Sequence, residues 1–509
     1  MSKSSPKTDG KAIAPGLLFE GGSPGRSGFF WPEDPVDRSD WIDARLLRDD
    51  IPGFPELGEL EVMRHFTRLS HLNYGVESQF YPLGSCTMKY NPKINEVVAR
   101  MPGFSFLHPL APTELLQGAL EMLHILEGML AEISGMDRVT LQPAAGAQGE
   151  LAGLMIIRAC LEERGNPRKK VLVPDTAHGT NPASSTLCGY DVVQVPSNER
   201  GILDVASVKK VMDDEVAALM ITNPNTFGVF EREIQGIAEI IHGKGGLVYM
   251  DGANLNALMG IAKPGDMGVD VLHMNLHKTF STPHGGGGPG AGPVGVKEFL
   301  DNYLPIPRIV KNNEGYELCE DFPKSVGRVR SFFGNFGVLV RAYTYMIALG
   351  SDGLAETSRM ALLNANYIRK QLEGSYHLPL SDPCMHECVF TDRFQQKHGV
   401  QTMDIAKRLL DYGFHAPTIY FPLVISGAIM IEPTETETPE TLEAFVRAML
   451  SIAREAKDDP ALVKEAPHTT PVGRLDEVRA ARKLVLRWDP SMANSDQRSA
   501  VSKKPKVAR

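Results

Sequence analysis

Between residues 138 and 274 the chain alternates short apolar runs with stretches of helical spacing, and nothing else in the sequence restricts the fold as strongly. The runs fall at 138–141, 170–173, 192–195, 217–221, 247–250 and 271–274. Each is of strand length. Parallel neighbours must be joined by crossovers that cover the sheet faces, so the pattern predicts a mainly parallel sheet flanked by helices. In such sheets the chemistry collects beyond the carboxyl ends of the strands. Polar and glycine-rich segments recur at those ends, at 143–149, 175–182, 222–226, 251–254 and 275–278.

Around this centre the sequence divides into five parts. Residues 1–60 read as a flexible N-terminal arm rich in Ser, Gly, Pro and Lys at its start, and 61–112 as a segment packing near the active site. The large α/β domain spans 113–334; its first helix is expected to start with Thr113 as N-cap and to stop at Gly135. Long helical patterns at 338–349, 355–372 and 438–456, with short strands at 388–391 and 429–432, predict a smaller α+β domain over 335–483. Residues 484–509 read as a flexible basic tail.

Net charge −9 with no dense basic face argues against nucleic acid as a partner. Even the most apolar stretch, 115–133, carries Glu and His within a helical period, so no membrane span is expected. Six scattered cysteines form no disulfide framework, and the expected setting is cytoplasmic. Cys384 and Cys388 have no second ligand pair after them and read as ordinary packing, so no metal is expected.

The strand ends carry what an aldehyde cofactor with a phosphate and a pyridine ring needs. Residues 144–149 run into a helix, where small residues let free N–H groups meet a phosphate at the positive helix end. Asp251, after an apolar strand, places a carboxylate where it could keep a pyridinium nitrogen protonated. Lys278 follows the next strand and precedes a polyglycine turn. That turn formally fits G-x-G-x-x-G at 285–290, but Pro289 and Pro293 prevent it from opening a nucleotide-binding helix.

The segments 178–183 (HGTNPA), 249–257 (YMDGANLNA), 275–280 (NLHKTF) and 284–290 (HGGGGPG) closely resemble glycine decarboxylase, the P-protein of the glycine cleavage system. The resemblance runs from about residue 66 to 433. With the segment 82–89 (PLGSCTMK) and the chain length, it points to subunit 2 of the two-subunit bacterial form.

That resemblance implies a fold-type-I pyridoxal-phosphate enzyme. Lys278 would bond the aldehyde of pyridoxal 5′-phosphate, Asp251 would pair with the ring nitrogen, and His178 would stack on the ring. Ala145, Gly146 and Ala147 are candidates for the phosphate, with Asn275 or His277 adding a side chain. Asn223 or Thr226 is expected at the ring oxygen, and Tyr81, Ser85 and Lys89 at the pocket edge.

The implied reaction decarboxylates glycine, transfers the aminomethyl group to the lipoyl group of the H-protein and releases carbon dioxide, with Lys278 and His178 as candidate proton carriers. The implied partners are glycine, the lipoylated H-protein and glycine decarboxylase subunit 1, in a heterotetramer of two of each subunit. Two rivals remain open: an aminotransferase or other lyase on the same fold, and a catalytically silent scaffold subunit.

Overall fold

The computed structural model describes residues 16–30, 32, 33, 35, 41–48, 51, 53–285 and 290–486. Its largest sheet has seven strands: β1 (Arg138–Thr140), β2 (Lys170–Pro174), β3 (Asp191–Val195), β4 (Val216–Thr222), β5 (Leu247–Gly252), β6 (Val271–Met274) and β7 (Val294–Val296). The spatial order is β1-β7-β6-β5-β4-β2-β3. The pairs from β3 through β6 are parallel, while β7 runs against both of its neighbours, β1 and β6. The expected architecture therefore forms, with one strand the sequence did not reveal. Val-Gly-Val after a Gly- and Pro-rich stretch is too short to show a period.

Every residue of β4 is buried, as suits a central strand covered on both faces. Alternation then divides the side chains. Leu219, Ile221, Val248, Met250 and Leu272 join one core with helices Gln117–Ser134 and Ile234–Gly243. Met220, Tyr249 and Val271 join the other with helix Gly146–Glu163.

The approach of this last helix depends on two glycines one turn apart. A Cβ on Gly149 would lie 2.8 Å from the Gly292 carbonyl oxygen and 3.0 Å from His273 Cβ, and one on Gly153 would lie 2.4 Å from Tyr249 Cε2. No side chain fits there.

Helix Gln117–Ser134 corrects one expectation. Thr113 is not its N-cap but opens a separate 3₁₀ turn, Thr113–Leu115. The helix has no side-chain cap; Gln117 at its first position ties the two segments together, its amide nitrogen donating to the carbonyls of Thr113 and Tyr316 at 2.9 and 2.8 Å. The stop at Gly135 holds, with φ 70° and ψ 20° in the left-handed region.

A hairpin of β8 (Arg308–Lys311) and β9 (Tyr316–Cys319) precedes helix Phe336–Leu372, which is interrupted at Gly350 (φ 64°, ψ −176°) between the two helices the sequence predicts. Beyond it β10 (Cys388–Thr391), β11 (Thr418–Ile419) and β12 (Ala428–Ile431) form an antiparallel sheet with β12 central. Helices Thr402–Asp411 and Pro439–Asp458 cover it around Phe390, Ile431 and Phe445. Cys384 and Cys388 are buried in that core, as packing requires.

All of this lies in one compact unit, 76–465. Residues up to 75 and from 466 onward belong to a second unit. Its helix Glu59–Ser70 buries no side chain and is capped by Glu61 Oε2, which accepts from Gly58 N at 2.9 Å. Parts of the expected arm (1–15, 31, 34, 36–40, 49, 50 and 52), positions 286–289 of the Gly- and Pro-rich turn and the tail from 487 onward lie outside the described residues. Among the described residues no helix is long and apolar enough to cross a membrane.

Candidate active site

Strand register assembles the floor of the site. Thr222 on β4 pairs with Asp251 on β5, and Asp251 pairs with His273 on β6. Paired residues of parallel strands share a face, so one row at the carboxyl edge presents a hydroxyl, a carboxylate and an imidazole. All three are buried. Asp251 Oδ1 accepts from Ala253 N at 2.9 Å and stands 3.3 Å from His273 Nε2. His273 Nδ1 meets the Tyr249 hydroxyl at 2.6 Å. If His273 Nε2 donates to the carboxylate, Nδ1 accepts from the tyrosine, which fixes the tautomer.

The other carboxylate oxygen points toward helix Thr180–Leu187. With the Asn181 amide nitrogen turned to the carboxylates, it donates to Asp251 Oδ2 and Glu150 Oε2, each at 3.2 Å. Glu150 Oε1 accepts from Thr180 Oγ1 at 2.8 Å, and Oε2 from Ser184 Oγ at 3.2 Å. Thr180 Oγ1 lies 2.7 Å from His178 Nδ1. Burial, reinforced by Asp251 and opposed by His273, holds Glu150 above the ordinary carboxylate range.

The wall is the start of helix Gly146–Glu163, whose N-cap Ala145 is extended (φ −161°, ψ 169°). N–H groups of a first helical turn have no intrahelical acceptor and face outward with the positive end of the dipole. A Cβ on Gly146 would sit 2.8 Å from Asn275 Nδ2, so glycine is needed for this contact. His277 is pushed down to about 3 by burial, His284 and Lys278, and is therefore neutral. Its Nδ1 accepts from Ala291 N at 3.3 Å, which leaves the proton on Nε2 as a donor.

Lys278 stands on the single turn Leu276–Thr279, directly after β6. Its Nζ donates to Ser85 O at 2.9 Å. The turn that offers this carbonyl is held by carboxylates at the ends of β10 and β12. Glu387 Oε2 accepts from Ser85 N at 2.7 Å, and Glu432 accepts from Cys86 N, Thr87 N and Thr87 Oγ1 at 3.1, 2.8 and 2.5 Å. Ser85 (φ 63°) and Thr87 (φ 51°) are both left-handed. Backbone of that kind persists where its surroundings over-determine it, as these two buried carboxylates do.

These groups surround a cavity of about 260 Å³. Lys278, His178, Asp251, Ala145, Gly146, Ala147, Thr226, Asn275, His277 and Ser85 all line it. Asn223, Tyr81 and Lys89 do not. Asn223 Oδ1 accepts from Glu231 N at 3.0 Å behind the wall, and Tyr81 stacks on His415 at 4.0 Å. Lys89 is buried on Glu435 at 2.9 Å and donates to Thr279 O, so it braces the turn carrying Lys278.

Thr180, Thr222 and Asn254, inside the expected strand-end segments, and Glu150 and His273, outside them, also line the cavity. The last two also left a local signal: Glu150 is an acid in the apolar part of a helix, and His273 a polar residue inside a four-residue apolar strand.

A ring with an aldehyde and a phosphate fits this donor set. Thr222 Oγ1, Asn254 Oδ1 and Asn275 Oδ1 are buried with no protein partner, a state native proteins rarely leave uncompensated. Asp251 matches a protonated ring nitrogen, the helix end an anion and Lys278 an aldehyde. No arginine lines the cavity among the described residues; Arg328 pairs with Glu320, and Arg330 donates to Asn335 at 2.8 Å.

Residues 46–316 match the family model of the glycine cleavage system P-protein, and 357–468 that of the glycine dehydrogenase C-terminal domain. "Probable glycine dehydrogenase (decarboxylating) subunit 2" of Listeria monocytogenes serotype 4a (strain HCC23) is 57% identical over 476 residues, 93% of this chain and 98% of the relative. The like-named protein of Caldanaerobacter subterraneus subsp. tengcongensis (strain DSM 15242 / JCM 11007 / NBRC 100824 / MB4) is 55% identical over the same shares.

Among solved structures, an inhibitor-bound glycine decarboxylase (P-protein) of the glycine cleavage system superposes with a TM-score of 0.67 at 22% identity, over 82% of this chain and 93% of that one. An apo cysteine desulfurase from Thermococcus onnurineus NA1 gives 0.58 at 15% identity, over 74% and 95%. These two share the fold. With more than half its length in the P-protein model and relatives this similar from end to end, the chain belongs to the glycine cleavage system P-protein family of glycine dehydrogenases.

Proposed function

We propose that this chain is the catalytic subunit of a two-subunit glycine decarboxylase. It works with pyridoxal 5′-phosphate, decarboxylates glycine, and passes the aminomethyl group to the lipoyl group of an H-protein while carbon dioxide leaves. The observation that carries the reading is the convergence of Lys278, Asp251 and the start of helix Gly146–Glu163 on one cavity. A silent scaffold has no need of that convergence.

When bound, the cofactor supplies a sink for the electron pair left behind as carbon dioxide departs. The chain supplies the rest. The N–H groups of Gly146 and Ala147, with Asn275 and His277 Nε2–H, would hold the phosphate. Asp251, itself fixed by Ala253 N and Asn181, would keep the ring nitrogen charged. Thr226 Oγ1 already donates to Thr176 O at 2.6 Å, so Thr222 and Asn254, with unused polar atoms, are better placed to add contacts along the ring edge.

His178, exposed at the mouth, would lie against the ring face. Lys278 is the amine for the aldehyde, and Ser85 O receives it when it is free.

The partners are subunit 1, which the naming of the relatives as subunit 2 implies, and a lipoylated carrier, in a heterotetramer of two of each subunit in the cytoplasm. The test is exchange of labelled bicarbonate into the carboxyl group of glycine, with subunit 1 and the lipoylated carrier each added or withheld. Exchange that requires both supports the reading. Exchange driven by keto acids instead would favour an aminotransferase, and none under any condition, with no visible cofactor band, a scaffold.

A further inference from the structure

The hydroxyl of Thr180 has a single proton and two neighbours. Glu150 Oε1 lies at 2.8 Å and His178 Nδ1 at 2.7 Å. When Glu150 is ionised, the hydroxyl donates to it, and the contact with His178 is a hydrogen bond only if Nδ1 carries the imidazole proton. His178 Nε2 is then a bare lone pair. When Glu150 is protonated, the carboxyl donates to Thr180, Thr180 donates to Nδ1, and the imidazole proton sits on Nε2. Thr180 N, 3.2 Å from Nδ1, supports this second arrangement.

We propose that Glu150, Thr180 and His178 form a proton relay from the cavity to a buried carboxylate. A proton accepted at His178 Nε2 is matched by the passage of the Nδ1 proton to Thr180 Oγ1 and of the Thr180 proton to Glu150 Oε1. One proton enters and one is stored, so His178 acts as a base without ever becoming an imidazolium. The reverse sequence returns the proton to the cavity. Glu150 is a positioning and storage residue; only His178 touches the reacting groups.

The surroundings suit storage. Glu150 is 4% exposed and faces His273, Asp251 and Tyr249 from the sheet and Asn181, Thr180 and Ser184 from the neighbouring helix. Its burial raises its affinity for a proton, whereas an exposed carboxylate would bind one too weakly to compete with water. His178 is exposed, with its ring at a steep angle to Phe421 at 6.1 Å between centroids, so its imidazole is accessible to reagents and to substrate.

The inference rests on the proposed function for its purpose, but its first test does not. In the cofactor-free full chain, the rate at which diethyl pyrocarbonate acylates His178 is followed by peptide mass spectrometry between about pH 5 and 9, since only an unprotonated ring nitrogen reacts. The wild type is expected to show an inflection in the labelling rate that depends on Glu150; Glu150→Gln and Thr180→Val should each lack it, and Thr180→Ser should keep it.

A Glu150→Gln profile superimposed on the wild type, or a Thr180→Ser variant like Thr180→Val, would overturn the relay. If Glu150→Gln does not fold, the two Thr180 variants suffice. In bicarbonate exchange Thr180→Val should lower kcat by about 10- to 100-fold with KM for glycine within about twofold, and Thr180→Ser should stay within about threefold of the wild type. A rise in KM alone would mean that Thr180 only shapes the pocket. Failure of every exchange assay with the labelling result intact would count against the proposed function and leave the relay standing.

Discussion

At the scale of single residues the site is a set of buried polar atoms whose partners are fixed on one side and open on the other. Lys278 is one. Lys278→Ala is expected to abolish both the visible band of lysine-bound cofactor and turnover, because no other amine stands on the turn after β6; a variant that keeps the band would refute the assignment. Asp251 is held by Ala253 N and Asn181, so Asp251→Asn should retain the fold and some cofactor while decarboxylation falls by about two to three orders of magnitude. Near-normal turnover would mean that the ring nitrogen has another partner.

Behind the cavity wall Glu231 accepts from Asn225 Nδ2 and Leu203 N at 2.7 and 2.8 Å, yet burial still pushes it up to about 7. Its folded form therefore binds a proton more tightly than its unfolded form. The stability this contributes is complete below about pH 4.5 and is lost as pH rises toward 7, by up to about 3 kcal/mol. Glu231→Gln cannot titrate, so urea melts at both ends of this window should show that loss in the wild type and not in the variant.

At the scale of elements, the contact of helix Gly146–Glu163 with β5 and β6 decides where its first turn points. Gly153→Ala would set a methyl 2.4 Å from the ring of the fully buried Tyr249, and neither can move far. It should cost about 1–3 kcal/mol of stability and weaken cofactor binding through a displaced helix end. Gly128→Ala, in an open position on helix Gln117–Ser134, should instead stabilise by about 0.5–1 kcal/mol. Thermal melts of the two variants, with cofactor titration of the first, check the contrast.

The sheet, its mainly parallel order and most of the cavity lining were legible because apolar runs and strand-end motifs are local. Of the alternatives Asn223 and Thr226, only Thr226 lines the cavity, because Thr222 carries the register and Asn223 Oδ1 turns to accept from Glu231 N. The pairing of Glu150 with Thr180 was not legible because it is a contact between two helices that no local pattern encodes.

At the scale of the whole molecule, the purified chain is expected to exchange little bicarbonate alone and to need subunit 1, since an ångström-scale displacement of reacting groups can cost about a hundredfold. Full exchange by this chain with carrier alone would refute the requirement. The turn at Ser85–Thr87 adds a mechanical reading. It is bolted by Glu387 and Glu432 to the small sheet, while its Ser85 carbonyl grips the lysine rooted in the large one. The two sheets of this one unit thus share a link three residues long, and the reach of Lys278 depends on how the three-stranded sheet is seated against the seven-stranded one.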